Sequence, residues 1–327
     1  KLTGPDDIQT VALIGMGGSG KTTLARQYAH SQKPSVVWEM NAETRENLAN
    51  SFEALAYALA KTDEEKKILS DLKDIRNFEE REGKTIQLVR AQLKNHPNWL
   101  LIYDNVEKFS DIQKYFPSEA SSWGAGKVII TTQDTHIQNN SYIKDALGVG
   151  ELTPSEKLAL FLKIMNHGGK TNIDVAQQES AKKFLDNLPS FPLDVSVAAY
   201  YMKATNINFN QYMKYLNGYN KDFSDIQKNV LKESSGYTKT RYNIIVLSLE
   251  KLIAADKEFA DLLLFTSLMD SQNIPRNLLD RYKGKLSVDK FIYYLKKYSL
   301  LMNPLSHSPS PLSHLSIHRS TQDIGFV

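Results

Sequence analysis

The sequence predicts an α/β fold: a parallel β-sheet flanked by helices, followed by an all-α helical stretch and a third unit in which helices precede a β-hairpin. Three observations carry that expectation. Short apolar runs at residues 11–14, 35–40, 99–103 and 127–131 alternate with segments of helical period. The run Trp99-Leu100-Leu101-Ile102-Tyr103 is apolar without a break, as a strand buried on both faces requires. From Leu152 onward the strand-like runs stop and helical spacing takes over.

The first strand, residues 11–14, ends in Gly15-Met16-Gly17-Gly18-Ser19-Gly20-Lys21-Thr22-Thr23, a turn of the pattern G-x-x-x-x-G-K-S/T. Glycines let consecutive backbone N–H groups converge on phosphate oxygens without a Cβ in the way. The helix that follows, with Leu24, Ala25, Tyr28 and Ala29 at helical spacing, adds unpaired donors and the positive end of its dipole. In this pattern Lys21 reaches the β- and γ-phosphates and the Thr22 hydroxyl ligates Mg²⁺. A flexible glycine turn beside a surface lysine would show the same letters. It would not explain an apolar run that ends at Gly15 and a helix that begins directly after, so the turn reads as a nucleotide-phosphate site.

Residues 41–61 carry Leu48, Phe52, Leu55, Ala56 and Leu59 on one face of an amphipathic helix. The charge-dense stretch 61–84 reads as exposed helix interrupted by loop. Ile86, Val89 and Leu93 mark a further helix that ends near His96-Pro97. Asp104 stands directly after the buried strand, where a strand end projects a carboxylate to the same sheet edge as the glycine turn. Asp-Asn is also a favoured turn pair, but with the phosphate turn upstream the metal role is preferred. Asn105 follows. An amide can hold a water but cannot accept its proton, so hydrolysis should be slow unless Glu107 or another acid substitutes.

In the second half, Thr153-Pro154-Ser155-Glu156 is a capping box with proline at the first helical position, and Leu158, Phe161, Leu162 and Met165 are expected to face inward. His167-Gly168-Gly169 reads as a glycine C-cap. Helices are expected over 176–188 and 192–203, a polar connector over 217–237, and further helices over 242–254, 256–269, 275–282 and 288–298. Short strands at 300–303 and 315–318, with the Pro/Ser segment 304–311 between them, suggest a winged helix. The expected division is therefore 1–151, 152–217, a connector 218–237, and 238–327.

Composition narrows the function classes. The chain of 327 residues has a net charge of +3, 41% hydrophobic and 24% charged residues, and no cysteine. That excludes disulfides, zinc knuckles and thiol nucleophiles, and offers no basic field of the kind a dedicated nucleic-acid binder carries. No apolar run approaches a membrane span, and a cytoplasmic setting is expected. With no initiator Met, and an end that is turning helical at Phe326-Val327, the sequence reads as a piece of a longer protein.

The ordered set GMGGSGKTTLA, WEMNAET, LLIYDNVE, KVIITTQD, ELTPSEKLALF, SFPLDVSVAAYY and LSIHRSTQ resembles the NB-ARC family of STAND-class signal-transduction P-loop ATPases over nearly the whole chain. The resemblance implies a nucleotide-binding domain, a helical domain and a winged-helix domain folding over ADP, with the 127–131 strand between the two motif strands of the sheet. It makes residues 15–23 the Walker A loop and Asp104 the Walker B metal acid. Pro192, in Ser190-Phe191-Pro192-Leu193, matches the proline that packs on adenine, and His318 the histidine that reaches the ADP β-phosphate. Two positions depart from the family: Gln133 stands where an arginine often senses the γ-phosphate, and Arg319 replaces an aspartate.

The implied activity is an ADP/ATP signalling switch with weak ATPase activity and Mg²⁺, closed with ADP and able to homo-oligomerise with ATP. An N-terminal effector and a C-terminal repeat sensor would flank it. The alternative is an ATPase-controlled transcription regulator that reads DNA through the winged helix, which the mild charge argues against. His314 and His318, four apart in an expected strand, are discounted as a metal site. The Lys/Tyr run 283–298 is discounted as a nucleic-acid patch, because Phe291, Tyr294, Leu295 and Tyr298 share one helix face.

Overall fold

The computed structural model describes residues 7–166, 175–218, 239–301, 313–318, 321–322 and 324. By their contacts the residues group into two units, Lys1–Met16 with Gly20–Val149, and Gly17–Ser19 with Gly150–Val327.

The first unit is built on a five-stranded parallel sheet, β1 (Ile8–Ile14), β2 (Val37–Asn41), β3 (Trp99–Val106), β4 (Gly126–Thr132) and β5 (Asp145–Gly148), in the order β2-β3-β4-β1-β5. The 127–131 run thus lies between the strand that ends in the glycine loop and the strand that carries Asp104. β3 continues past the apolar run, and its register with β4 shifts between Tyr103 and Val106. The edge strand β5 was not anticipated from sequence.

Helix α1 (Lys21–Ser31) follows the loop, and Ala25 and Ala29 are its buried residues. Leu24, expected on the same face, is exposed. The periodic stretch forms α2 (Arg45–Leu59), capped by Thr44 and burying Leu48, Phe52, Leu55, Ala56 and Leu59. The charge-dense stretch is helix, break and helix: α3 (Asp63–Lys73) opens on a Thr62/Glu65 capping box, and α4 (Phe78–Lys94) is capped by Asn77. Short α5 (Phe109–Ile112) and α6 (Ala120–Trp123) complete the unit. Aromatic polar tips in its core find backbone partners, Trp99 Nε1 donating to Trp123 O at 2.9 Å and Tyr103 Oη to Tyr115 O at 2.8 Å. Glu82, a buried carboxylate of the same unit, accepts from Arg45, Lys114 and Tyr115.

The second unit holds α7 (Pro154–Met165), α8 (Val175–Leu185), α9 (Pro192–Thr205), α10 (Phe209–Gly218), α11 (Lys239–Ala255), α12 (Glu258–Ser267), α13 (Arg276–Lys283) and α14 (Lys285–Lys297). One apolar core joins them, running from Phe161 and Phe184 through Tyr201 and Leu252 to Phe259, Phe291 and Leu295. The α7 capping box and its proline form as expected. Its buried face differs: Leu158, Leu162 and Met165 are half-buried, while Lys157 is buried with Phe161 and Ile164. The lysine is satisfied by Leu188 O at 2.6 Å and Ser190 Oγ at 3.3 Å.

The C-terminal strands also differ from expectation. Leu301 bridges Ile317, but β7 (His314–Leu315) pairs antiparallel with β6 (Ile274–Pro275). Sequence spacing put Pro275 at a helix start. It stands there as the N-cap of α13, in extended backbone, and Arg276 N donates to Ser313 O at 2.9 Å. His167-Gly168-Gly169, the 304–311 segment, Arg319 and nearly all of the 217–237 connector lie outside the described residues.

Gly126 pairs with Trp99 across β3 and β4, and a Cβ there would lie 2.2 Å from the indole. Gly126→Ala should therefore destabilise the first unit by about 1–3 kcal/mol through overpacking. Gly83→Ala, where a Cβ meets nothing within 4 Å on α4, should stabilise by about 0.5–1 kcal/mol. Urea denaturation of the two variants checks both signs.

Candidate nucleotide site

The glycine loop leaves the sheet at the carboxyl end of β1, where Gly15 N donates to Thr132 O at 3.2 Å. Gly18 and Gly20 take left-handed backbone angles, φ 77° and 95°, which a side chain would oppose. Gly20 is the N-cap of α1 and supplies no capping side chain, so the first-turn N–H groups keep their donor capacity at the loop. The Ser19 hydroxyl is buried and makes no hydrogen bond. Lys21 folds back over the loop, its Nζ donating to Gly15 O at 2.8 Å and Met16 O at 2.9 Å. Burial lowers its pKa to about 8, against the opposing pull of the Asp104 charge.

Asp104 is buried at the end of β3. Its Oδ1 accepts from Thr22 Oγ1 of α1 at 2.7 Å and from Thr131 Oγ1 of β4 at 2.6 Å. Thr131 Oγ1 in turn accepts from the Asn105 backbone N–H at 2.9 Å. Asn105 has φ 64°, a left-handed conformation that asparagine tolerates better than most residues. The Asp104 carboxylate and the Thr22 hydroxyl are thus hydrogen-bonded neighbours, and hard oxygen donors of that kind suit Mg²⁺. Thr132 Oγ1 donates to Val106 O at 2.6 Å and closes the β3–β4 edge behind them.

The NB-ARC domain profile matches residues 1–170 of the 327. The chain belongs to the NB-ARC family. Two probable disease resistance proteins of Arabidopsis thaliana resemble it. One is 23% identical over 268 residues, covering 77% of this chain and 26% of that protein. The other, RF45, is 26% identical over 205 residues, covering 58% of this chain and 18% of that protein. The chain thus spans about a quarter or less of the length of these relatives. A STAND protein with a tetratricopeptide repeat sensor from Pyrococcus horikoshii shares the fold at a TM-score of 0.52 and 16% identity, over 97% of this chain and 40% of that one.

Within this NB-ARC chain, Lys21, Thr22 and Asp104 come together with the loop at one edge of the sheet. Glu107 and Gln133 do not join them as buried groups, since both are exposed just beyond their strands. Pro192 opens α9 in the second unit, half-buried behind the N-cap Phe191. Gly17–Ser19 group with that unit, and Leu193 N lies 3.4 Å from Gly18 O. His318 is half-buried after Ile317, its backbone N donating to Leu300 O at 3.4 Å and its O accepting from Thr321 N at 2.8 Å. Among the described residues no group of three or more His, Cys, Asp or Glu could hold a metal, and no helix is long and apolar enough to cross a membrane.

Two features escaped the sequence reading. Thr131 orients Asp104, and a bidentate pair joins Arg26 of α1 to Glu39 of β2 at 2.8 and 2.6 Å. Burial raises the Glu39 pKa in spite of Arg26.

The Lys21 pKa yields a signed expectation. It stands near 8 in the fold against 10.5 ordinarily, so between those values the unfolded chain binds the extra proton and stability rises with pH. Unfolding free energies measured across this window should rise in the native protein relative to Lys21→Met, which lacks the titrating group.

Proposed function

We propose that this chain is an adenine-nucleotide switch: ADP favours a closed state, ATP releases it, and hydrolysis between the two is slow. The observation that carries the reading is the convergence of Lys21, Thr22 and Asp104 on the glycine loop. A lysine whose charge is opposed by burial gains strongly from an anion, and the loop amides and helix dipole favour the same charge. The residues fit a diphosphate held by residues 15–23 and a Mg²⁺ held by Thr22 and Asp104. Bound Mg²⁺ would neutralise phosphate charge.

Asn105 supports slow turnover. It follows the metal acid in sequence, and its side-chain amide cannot take a proton from water as a carboxylate would; general-base help is worth roughly 10²–10⁴ in rate. Exposed Gln133 would make a weaker γ-phosphate contact than a guanidinium.

Family membership extends the proposal to the second unit. Pro192 would pack on adenine, and His318 would reach the β-phosphate from a winged helix that includes the short strands at Ile274–Pro275 and His314–Leu315. The division into residues 1–151, 152–217 and 238–327 belongs to the same reading. So do a flanking effector, a repeat sensor like the tetratricopeptide sensor of the Pyrococcus protein, and self-assembly in the ATP state. The energies suffice. A ligand at a thousand times its Kd stabilises the state it binds by about 4 kcal/mol, and a near-complete swing needs about 5.5 kcal/mol of differential binding.

Freshly purified protein should release ADP or ATP on denaturation, in near one-to-one amount by ion-exchange chromatography, and Lys21→Ala should release none. A Lys21→Ala protein that keeps its nucleotide would refute the site.

A further inference from the structure

Helix α1 carries Lys21 and Thr22, yet it buries little apolar surface. Ala25 and Ala29 are its buried residues, and Leu24 is 47% exposed. Two methyl groups give a helix of 11 residues no ridge deep enough to define its rotation or height on a sheet. The defining contacts are polar, and they reach three neighbouring strands. Thr22 donates to Asp104 on β3. Arg26 Nε and Nη2 donate to Glu39 Oε2 and Oε1 on β2 at 2.8 and 2.6 Å. Lys127 on β4 donates to Tyr28 Oη at 3.3 Å and Gln32 Oε1 at 3.4 Å.

The Arg26–Glu39 pair differs from the other two. Its side chains are only 14% and 11% exposed, and two parallel N–H···O bonds fix direction as well as distance. Glu39 is in register with Ile102, and Asn41 with Asp104. Residues two apart on a strand share a face, so Glu39 anchors α1 on the Asp104 face, one step back from the sheet edge.

The geometry points to Arg26 and Glu39 as positioning residues of the phosphate site: their bidentate pair sets the height and rotation of α1 and thereby holds Thr22 opposite Asp104 for a magnesium-bound nucleotide. This rests on the nucleotide-switch reading. On this reading the pair acts through Thr22, by placing α1, and not as a ligand of the phosphates or the metal. Phosphate contacts made by the loop backbone do not depend on it to the same degree.

The test is calorimetric titration of the full chain with ATP, once with Mg²⁺ and once with EDTA. The variants are Arg26→Lys, which keeps a cation beside Glu39 but loses the fork, Glu39→Asp, which draws the anchor back by one methylene, and Lys21→Ala. In Arg26→Lys and Glu39→Asp the ratio of ATP affinities with and without Mg²⁺ should fall by about tenfold, as for residues that orient metal ligands, with the EDTA affinity within about twofold of native. An unchanged ratio in both variants, or an equal loss with and without Mg²⁺, overturns the positioning role, because a pair that merely stabilises the fold would not act on the metal-dependent part. Lys21→Ala separates the two claims. If it binds ATP as the native chain does, the nucleotide site itself is wrong. If it loses ATP while the other two keep their ratio, only the positioning role fails.

Discussion

One oxygen of one buried carboxylate holds the site together. Asp104 Oδ1 accepts hydroxyl hydrogen bonds from Thr22 and Thr131, joining a helix and two strands that the chain brings from 82 and 27 residues away. A carboxylate taken out of water is tolerated only with such partners, so the two threonines and the acid depend on each other. The left-handed turn at Asn105 follows from the same arrangement. It lets the Asn105 backbone N–H donate to the Thr131 hydroxyl, so that this hydroxyl gives one hydrogen bond and receives another.

The sheet and the helix that carries the loop are held by different forces. β3 and β4 are buried among aliphatic and aromatic side chains, with Trp99, Tyr103 and Ile130 fully enclosed, and dispersion and the hydrophobic effect suffice there. α1 relies on hydrogen bonds and an ion pair. The charges around it are balanced in kind: Arg26 is matched by Glu39, Asp104 is bonded to two hydroxyls, and Lys21 rests on two carbonyls. Carbonyl dipoles are weaker partners for an ammonium than phosphate oxygens, which makes Lys21 the group with most to gain from an anion.

Much of this was legible in the sequence because the signals were local or strongly periodic. Residues 99–103 and 127–131 read as buried strands since nothing polar interrupts them, and the Thr153–Glu156 capping box reads directly from its spacing. β5 was missed because it is four residues long, half exposed and begins at Asp145, so neither alternation nor a hydrophobic run marks it. Pro275 caps the start of α13 as its spacing indicates and also pairs with His314, a second role that proline at an edge strand permits and that spacing alone does not reveal. Lys157 was overlooked although it stands four before Phe161, on the face that such spacing buries. The Arg26–Glu39 pair left a trace: a lone glutamate in the apolar run 35–40, and an arginine one turn after Thr22. Only the structure sets β2 beside β3 and lets those two residues meet.

The family assignment and the geometry bear on the same question from opposite ends. Membership implies nucleotide binding in general terms, while the loop, Lys21 and the Thr22–Asp104 pair state where the binding energy should reside, namely on the phosphates. Comparing the affinities of the purified chain, stripped of nucleotide, for ADP and for adenosine tests that claim most directly. The account predicts that ADP binds more than about a hundredfold more tightly, roughly 2.8 kcal/mol. Equal affinity for the two would contradict it, since the loop would then contribute nothing to recognition.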